Sequence, residues 1–143
     1  MMISTKGRYA LRVMIDLAEH QAEGFIPLKE IAQRQEISEK YLESILKTLV
    51  RDKILIGLRG KGGGYRLTRD PENYTVGTIL RLTEGSLAPV SCLEDTSDQC
   101  HRMADCRTLE MWRKLDSMIS EFLDSITVAD LMAPTQGGND YVI

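Results

Sequence analysis

Apolar positions recur every three to four residues through the first part of the chain. In residues 6–20, KGRYALRVMIDLAEH, Ala10, Val13, Leu17 and Ala18 share one helical face, with Met14 beside them. Gly24 and Pro27 then break the pattern. Residues 28–35, LKEIAQRQ, predict a short second helix with Leu28, Ile31 and Ala32 inward. A tight connection, Gln35-Glu36-Ile37, leads to Ser38, whose hydroxyl suits an N-cap because it can accept an otherwise unpaired backbone N–H. In the helix that follows, Leu42, Ile45, Leu46 and Leu49 fall at i, i+3, i+4 and i+7. Two short helices and a tight turn at this spacing predict a helix-turn-helix.

After Lys53 the period changes. Residues 54–59, ILIGLR, and 65–68, YRLT, are short and β-like, and Gly60-Lys61-Gly62-Gly63-Gly64 separates them. They predict a hairpin with a basic tip, the wing of a winged helix. A turn at 71–74 and a short helix from Val76 to Leu82 come next. Residues 85–104 lack apolar periodicity. From about Asp105 to Ser125 a long helix is expected, with Leu109, Trp112, Leu115, Ile119, Phe122 and Ile126 in a nearly heptad stripe. Its other face is charged: Arg107, Glu110, Arg113, Lys114, Asp116, Glu121 and Asp124. A small domain offers too little surface to cover that stripe, so pairing with a second copy is expected. The expected fold class is mainly α with a small β-hairpin, a winged helix-turn-helix plus a long dimerisation helix. Residues 1–84 form the expected DNA-binding domain, 85–104 a cysteine-bearing loop, 105–132 the dimerisation helix and C-terminal segment, and 133–143 a flexible tail.

Composition adds limits. With 143 residues, 43% hydrophobic and 27% charged, the chain is globular and fits one ordinary domain with an appended element. No apolar run approaches the roughly 18 residues of a membrane span. The N-terminus lacks a signal-peptide pattern, so a cytoplasmic location is expected. The net charge of −3 hides an asymmetry, +4 over residues 1–70 and −7 over 71–143. Such a division predicts a basic binding module joined to something else.

Ser38, Lys40, Tyr41, Glu43, Ser44 and Lys47 lie around the first turns of the third helix, the part of a helix-turn-helix that enters the major groove. Lys40 and Lys47 suit phosphate, and Tyr41 and Ser44 suit donating hydrogen bonds to backbone or bases. Glu43 is repelled by phosphate, and its use there is to accept from cytosine N4 or to reject wrong bases. Arg59 and Lys61, on a glycine-rich tip, suit minor-groove or phosphate contact. The tip is no nucleotide-binding loop, because it lacks the Gly-Lys-Ser/Thr ending and does not join a strand to a helix. The expected partner is double-stranded DNA with a partly palindromic site.

The three cysteines, Cys92, Cys100 and Cys106, are odd in number and clustered. That pattern points to metal or redox chemistry rather than a disulfide framework. No CxxC pair is present, which argues against the usual zinc site and a thioredoxin-like motif. Three thiolates on a loop that ends at a helix start can converge on one soft metal centre such as an iron–sulfur cluster. His101, Glu94, Asp95, Asp98, Asp105 and Glu110 are nearby candidates for a fourth ligand. The helix N-terminus favours the Cys106 thiolate. An enzyme or electron carrier is the rival from another class. It finds no Ser/His/Asp set, and His20 and His101 lie in unrelated segments. His20 ends a helix, where it suits the dipole better than base chemistry.

With these residues placed, the chain resembles the IscR-like family of bacterial winged-helix regulators. The resemblance rests on STKGRYAL at 4–11, ISEKYLESIL at 37–46, LRGKGGGYRL at 58–67, VGTILRLTEG at 76–85, and the cysteine loop followed by Trp112. It spans about Met2 to Met132. It implies a homodimer crossed through the long helix and transcriptional control by cluster occupancy, most directly of cluster-assembly genes, with cluster-assembly proteins as further partners. By matching position, Cys92, Cys100 and Cys106 resemble cluster ligands, a 2Fe-2S centre being preferred over 4Fe-4S. Ser38, Tyr41 and Glu43 resemble recognition-helix contacts, and Arg59 resembles the wing residue in the minor groove. The resemblance also implies that Glu43 lets the cluster-free form reject one class of promoter. This chain departs from the pattern at Leu109, where IscR has a histidine ligand, and at Arg8, where nitric-oxide-sensing relatives use an aspartate. The fourth ligand stays open, with His101 and Glu110 as candidates. The stimulus stays open too, among cluster demand, iron, nitric oxide and thiol oxidation.

Overall fold

The structure is a computed structural model and describes residues 3–94 and 102–134. Helix α1 (Thr5–Glu19) starts where the Ser4 hydroxyl accepts the Gly7 N–H, and ends at His20, whose Nδ1 lies 2.7 Å from the Asp16 carbonyl. Helix α2 (Leu28–Gln35) stops because Glu36 turns left-handed, at φ 54°. The turn lets the Ile37 N–H reach the Ala32 carbonyl and aims the chain into α3 (Glu39–Arg51). The predicted cap holds: Ser38 Oγ accepts the Tyr41 N–H at 3.2 Å.

Strands β1 (Leu55–Leu58) and β2 (Gly64–Leu67) form the antiparallel wing, with Leu55 opposite Leu67 and Leu58 opposite Gly64. Ile26 adds a bridge on the outer edge of β2, exchanging two 2.9 Å backbone hydrogen bonds with Tyr65. Gly64 permits this approach, since a Cβ there would stand 2.2 Å from the Ile26 carbonyl oxygen. Tyr74 secures the base of the wing. Its buried hydroxyl donates to the Ile54 carbonyl and accepts the Thr68 and Arg69 N–H groups.

The main core joins Val13, Met14 and Leu17 of α1 to Leu42, Ile45, Leu46 and Leu49 of α3, all at most 1% exposed. Helix α4 (Val76–Glu84) packs on α1 so closely that a Cβ at Gly7 would meet the Glu84 carboxylate at 2.2 Å. A smaller core of Val76, Leu80, Leu87 and Ile126 lies on the far side of α4. Helix α5 (Leu109–Asp124) packs there through Ile119 and Leu123. Past its end, Thr127 pairs antiparallel with Thr75: Val76 N–H donates to Ile126 O at 2.8 Å and Val128 N–H to Tyr74 O at 2.9 Å. Helix α6 (Val128–Leu131) follows, and Val128, fully buried, closes the main core.

Three features differ from the sequence reading. The long helix begins at Leu109 rather than near Asp105, because a separate 3-10 turn at Met103–Asp105 gives way to extended backbone at Cys106. Ile126 lies beyond α5, in the paired segment. The apolar stripe also splits: Ile119 faces the chain's own core, while Leu115 and Phe122, with Met111 and Met118, are exposed. No described helix is long and apolar enough to cross a membrane.

Candidate nucleic-acid interface and cysteine segment

The exposed face of α3 carries Ser38, Lys40, Tyr41, Glu43, Ser44 and Lys47. Its internal bonds decide what each group still offers. Ser38 spends an oxygen lone pair on the helix cap and keeps its O–H free to donate. Ser44 donates to the Tyr41 carbonyl at 2.7 Å, so it offers its oxygen as an acceptor rather than the donor expected from sequence. Glu43 lies 3.6 Å from Lys47, both well exposed. This ion pair offsets the carboxylate's repulsion of phosphate and is weak enough to open on contact.

The wing tip approaches the same face. Glu43, Lys47, Val50 and Arg51 form one wall of an open groove of about 650 Å³, and Leu58, Arg59 and Tyr65 line the other. Glu43, Lys47 and Arg59, distant in sequence, therefore share one concave surface. Gly60 and Gly62 hold φ 92° and 78°, which bends the Arg59–Lys61 tip tightly enough for Gly63 N–H to reach Gly60 O at 3.0 Å. Lys61 is exposed on that tip. A second hollow, lined by Ser38, Lys40, Tyr41 and Ser44, opens at the start of α3.

What holds α3 at this angle was not read from the sequence. Asp16, 2% exposed, accepts two hydrogen bonds from Arg34, at 2.7 and 3.0 Å, and one from Gln35 at 2.8 Å. The Asp16 hydrogen bond holds the Arg34 guanidinium's pKa above its ordinary value, against some desolvation. Arg12 donates to the side chain and the carbonyl of the same Gln35. These bonds fasten α1 to the turn between α2 and α3. The available signal was a carboxylate on the otherwise apolar face of α1, which demands a buried partner.

The cysteine segment is described in part. Cys92 is half-buried in a single 3-10 turn, Ser91–Leu93. Its neighbour Leu93 lines a cavity of about 260 Å³ shared with Arg81, Asp116 and Ser120. Cys106 is exposed two residues before the first residue of α5's N-terminal cap, its Sγ 3.5 Å from Thr108 Oγ1. The Thr108 hydroxyl, then the Thr108 N–H, hold this thiol's pKa below its ordinary value. The Leu109 N–H and the charge of Arg102 act in the same direction. The thiolate expected at the helix start is thus favoured, mainly by a side-chain hydroxyl. Cys100 and His101 lie outside the described residues, as do Asp95 and Asp98. Among the described residues no group of three His, Cys, Asp or Glu gathers as a metal site. Glu110 is exposed and bonded to Arg113 at 2.8 Å, and Leu109 is buried. His20 contacts a carbonyl of its own helix's last turn, that of Asp16, as expected.

Comparison with known proteins agrees with this architecture. A family profile described as "Rrf2: Iron-dependent Transcriptional regulator" matches residues 3–134. The HTH-type transcriptional regulator IscR of Sodalis glossinidius is 38% identical over 93% of this chain and 79% of its own. The regulator CymR of Bacillus subtilis is 41% identical over 96% of this chain and 94% of its own. The solved structure of that protein, described as the global cysteine regulator, superposes with a TM-score of 0.75 and covers 92% of this chain and 95% of that one. The solved T. potens IscR has a TM-score of 0.71 at 38% identity, covering 92% of this chain and 85% of that one.

Proposed function

The chain belongs to the Rrf2 family of transcriptional regulators, and from that premise we propose that it is a homodimeric DNA-binding repressor whose affinity or sequence choice is set by an iron–sulfur cluster. The groove that unites Glu43 and Lys47 of α3 with Arg59 of the wing carries this reading. Residues 1–84 read DNA, 85–104 carry the sensor, and 105–132 join the protomers in a cytoplasmic dimer. Ser38, Lys40, Tyr41, Glu43, Ser44 and Lys47 meet the major groove, and Arg59 and Lys61 the minor groove or phosphates. The exposed row Met111, Leu115, Met118 and Phe122 takes the same row of a second copy. Two copies give a partly palindromic operator, expected upstream of cluster-assembly genes.

Cys92, Cys100 and Cys106 hold the cluster, of 2Fe-2S rather than 4Fe-4S type, with His101 or Glu110 as a fourth ligand. The donor chemistry fits: soft thiolate sulfur, with Cys106 poised in its ionised form. A bound cluster supplies a redox- and oxygen-sensitive crosslink. Loading of these cysteines would shift the protein toward the form that accepts DNA. Anaerobic reconstitution with iron and sulfide checks this. A brown protein with a visible charge-transfer band is expected, together with a salt-dependent gel shift on its own promoter that changes with loading. A protein that stays colourless and iron-free sinks the cluster reading.

A second reading has its own support. Cys106 is an exposed, low-pKa thiol, and the chain spans 94% of CymR, which is named a cysteine regulator. In that reading the thiols themselves sense oxidation. Thiol titration in air and under reductant, with DNA binding followed in parallel, separates the two.

A further inference from the structure

Resting on the reading that α3 enters the DNA groove, we propose that Tyr9 of α1 is a positioning residue for recognition: its ring fixes where Tyr41 points. The two rings meet edge to face, with centroids 5.9 Å apart and planes at 78°. Tyr41 sits in the first turn of α3 and is 38% exposed. An unsupported tyrosine there hops between rotamers, and each hop carries its hydroxyl several ångströms. A hydrogen bond to a base or phosphate tolerates a few tenths of an ångström. The face of α1 therefore decides whether Tyr41 is a defined contact or a mobile one.

Tyr9 is itself held. The Arg12 guanidinium lies over its ring, 4.9 Å from the centroid. Arg12 is anchored by Gln35, and Gln35 by the buried Asp16. One connected path thus runs from the interior of α1 through the interhelical turn to the exposed phenol. One turn back along α1, Lys6 donates to Thr48 of α3 at 3.2 Å, which keeps the two helices in register. Tyr9 need not touch DNA in this arrangement. Its ring is what acts, since no hydrogen bond of its hydroxyl enters the path.

Selection of binding sites by the full-length protein from a randomised duplex library, followed by anisotropy titration of the selected duplex, tests the role. Tyr9→Leu is expected to weaken binding about three- to tenfold and to flatten base preference at the positions that Tyr41→Leu also flattens. Tyr9→Phe, which keeps the ring, is expected to select the wild-type sequence with wild-type affinity. In the Tyr41→Leu background, Tyr9→Leu is expected to add less than twofold. Thermal melting of each variant separates loss of fold from loss of positioning. The inference is overturned if Tyr41→Leu alters selection while Tyr9→Leu does not, or if Tyr9→Phe fails as badly as Tyr9→Leu. If Tyr41→Leu leaves selection unchanged, the recognition-helix reading itself falls, and this inference with it.

Discussion

Helices α3 and α5 are both amphipathic, 13 and 16 residues long, and the fold uses them in opposite ways. Helix α3 turns its apolar row fully inward, with Leu42, Ile45, Leu46 and Leu49 all inaccessible, and leaves its polar face open. Of helix α5 only Leu109 is buried, and Met111, Met118 and Phe122 are more than half exposed. Hydrophobic period therefore states that a helix forms, not what covers it. For α3 the cover is the chain itself, and the free polar face is the proposed DNA-reading surface. For α5 the free apolar face is the proposed dimer seam, while the charged face carries Asp124, bonded to Arg81 of α4.

The largest expected effect falls on α5. Phe122→Glu places a charge at the C-terminal end of the exposed apolar row and should separate the protomers. Analytical ultracentrifugation should report a monomer, and operator affinity should fall on the order of 100-fold as bivalent binding is lost. A variant that stays dimeric breaks the contrast between the two helices. Next in size is Asp16→Ala, which strips the turn before α3 of its anchor. Arg34 keeps partial access to water, so a cost of about 2–3 kcal/mol in chemical denaturation is expected rather than the full cost of an orphaned buried charge. A change below about 0.5 kcal/mol would mean that α3 is seated by its apolar row alone.

Arg59→Ala leaves both helices intact and removes one cation from the groove. Binding should weaken roughly 3–10-fold, with a salt dependence shallower by about one counterion. An unchanged slope would remove the wing from the interface. The smallest effect concerns the Arg81–Asp124 pair that ties α5 to α4, bonded at 2.8 and 2.9 Å. Arg81 holds the Asp124 carboxyl below its ordinary value. Its contribution is therefore complete above the unfolded-state carboxylate pKa and fades as acid protonates Asp124 at lower pH. The pair is exposed, so about 0.5 kcal/mol is expected. The stability difference between wild type and Asp124→Asn should close below about pH 4. A difference that persists into stronger acid would assign it to packing.

Where a local signal existed, the sequence reading was specific. Helix α2 runs over the expected residues 28–35, Ser38 caps α3 with its hydroxyl, and the glycine-rich tip turns the wing. Of the candidate site residues, those on α3 and the wing lie where helical period and turn chemistry place them. What escaped was long-range. The Ile26–Tyr65 bridge, the hydrogen bonds of the Tyr74 hydroxyl, and the pairing of Thr75 with Thr127 are meetings across the fold that no periodicity encodes. The split of the α5 stripe escaped for the same reason, since a nearly heptad row does not say which half meets its own domain. Asp16 was hidden by a pattern that counts apolar neighbours and passes over the acid among them.

The Thr75–Thr127 pairing has a consequence for how the protein is made. It closes a chain segment that contains the cysteine turn, Cys106 and all of α5, and Val128 just beyond it fills the core beneath α1. A ribosome that has delivered only the wing and α4 has delivered a reader with a hole at its centre and two unpaired backbone groups, at Tyr74 and Val76. Completion waits for residues translated after the cysteine segment. No growing chain then has a finished core around the helix-turn-helix before its cysteine segment has emerged.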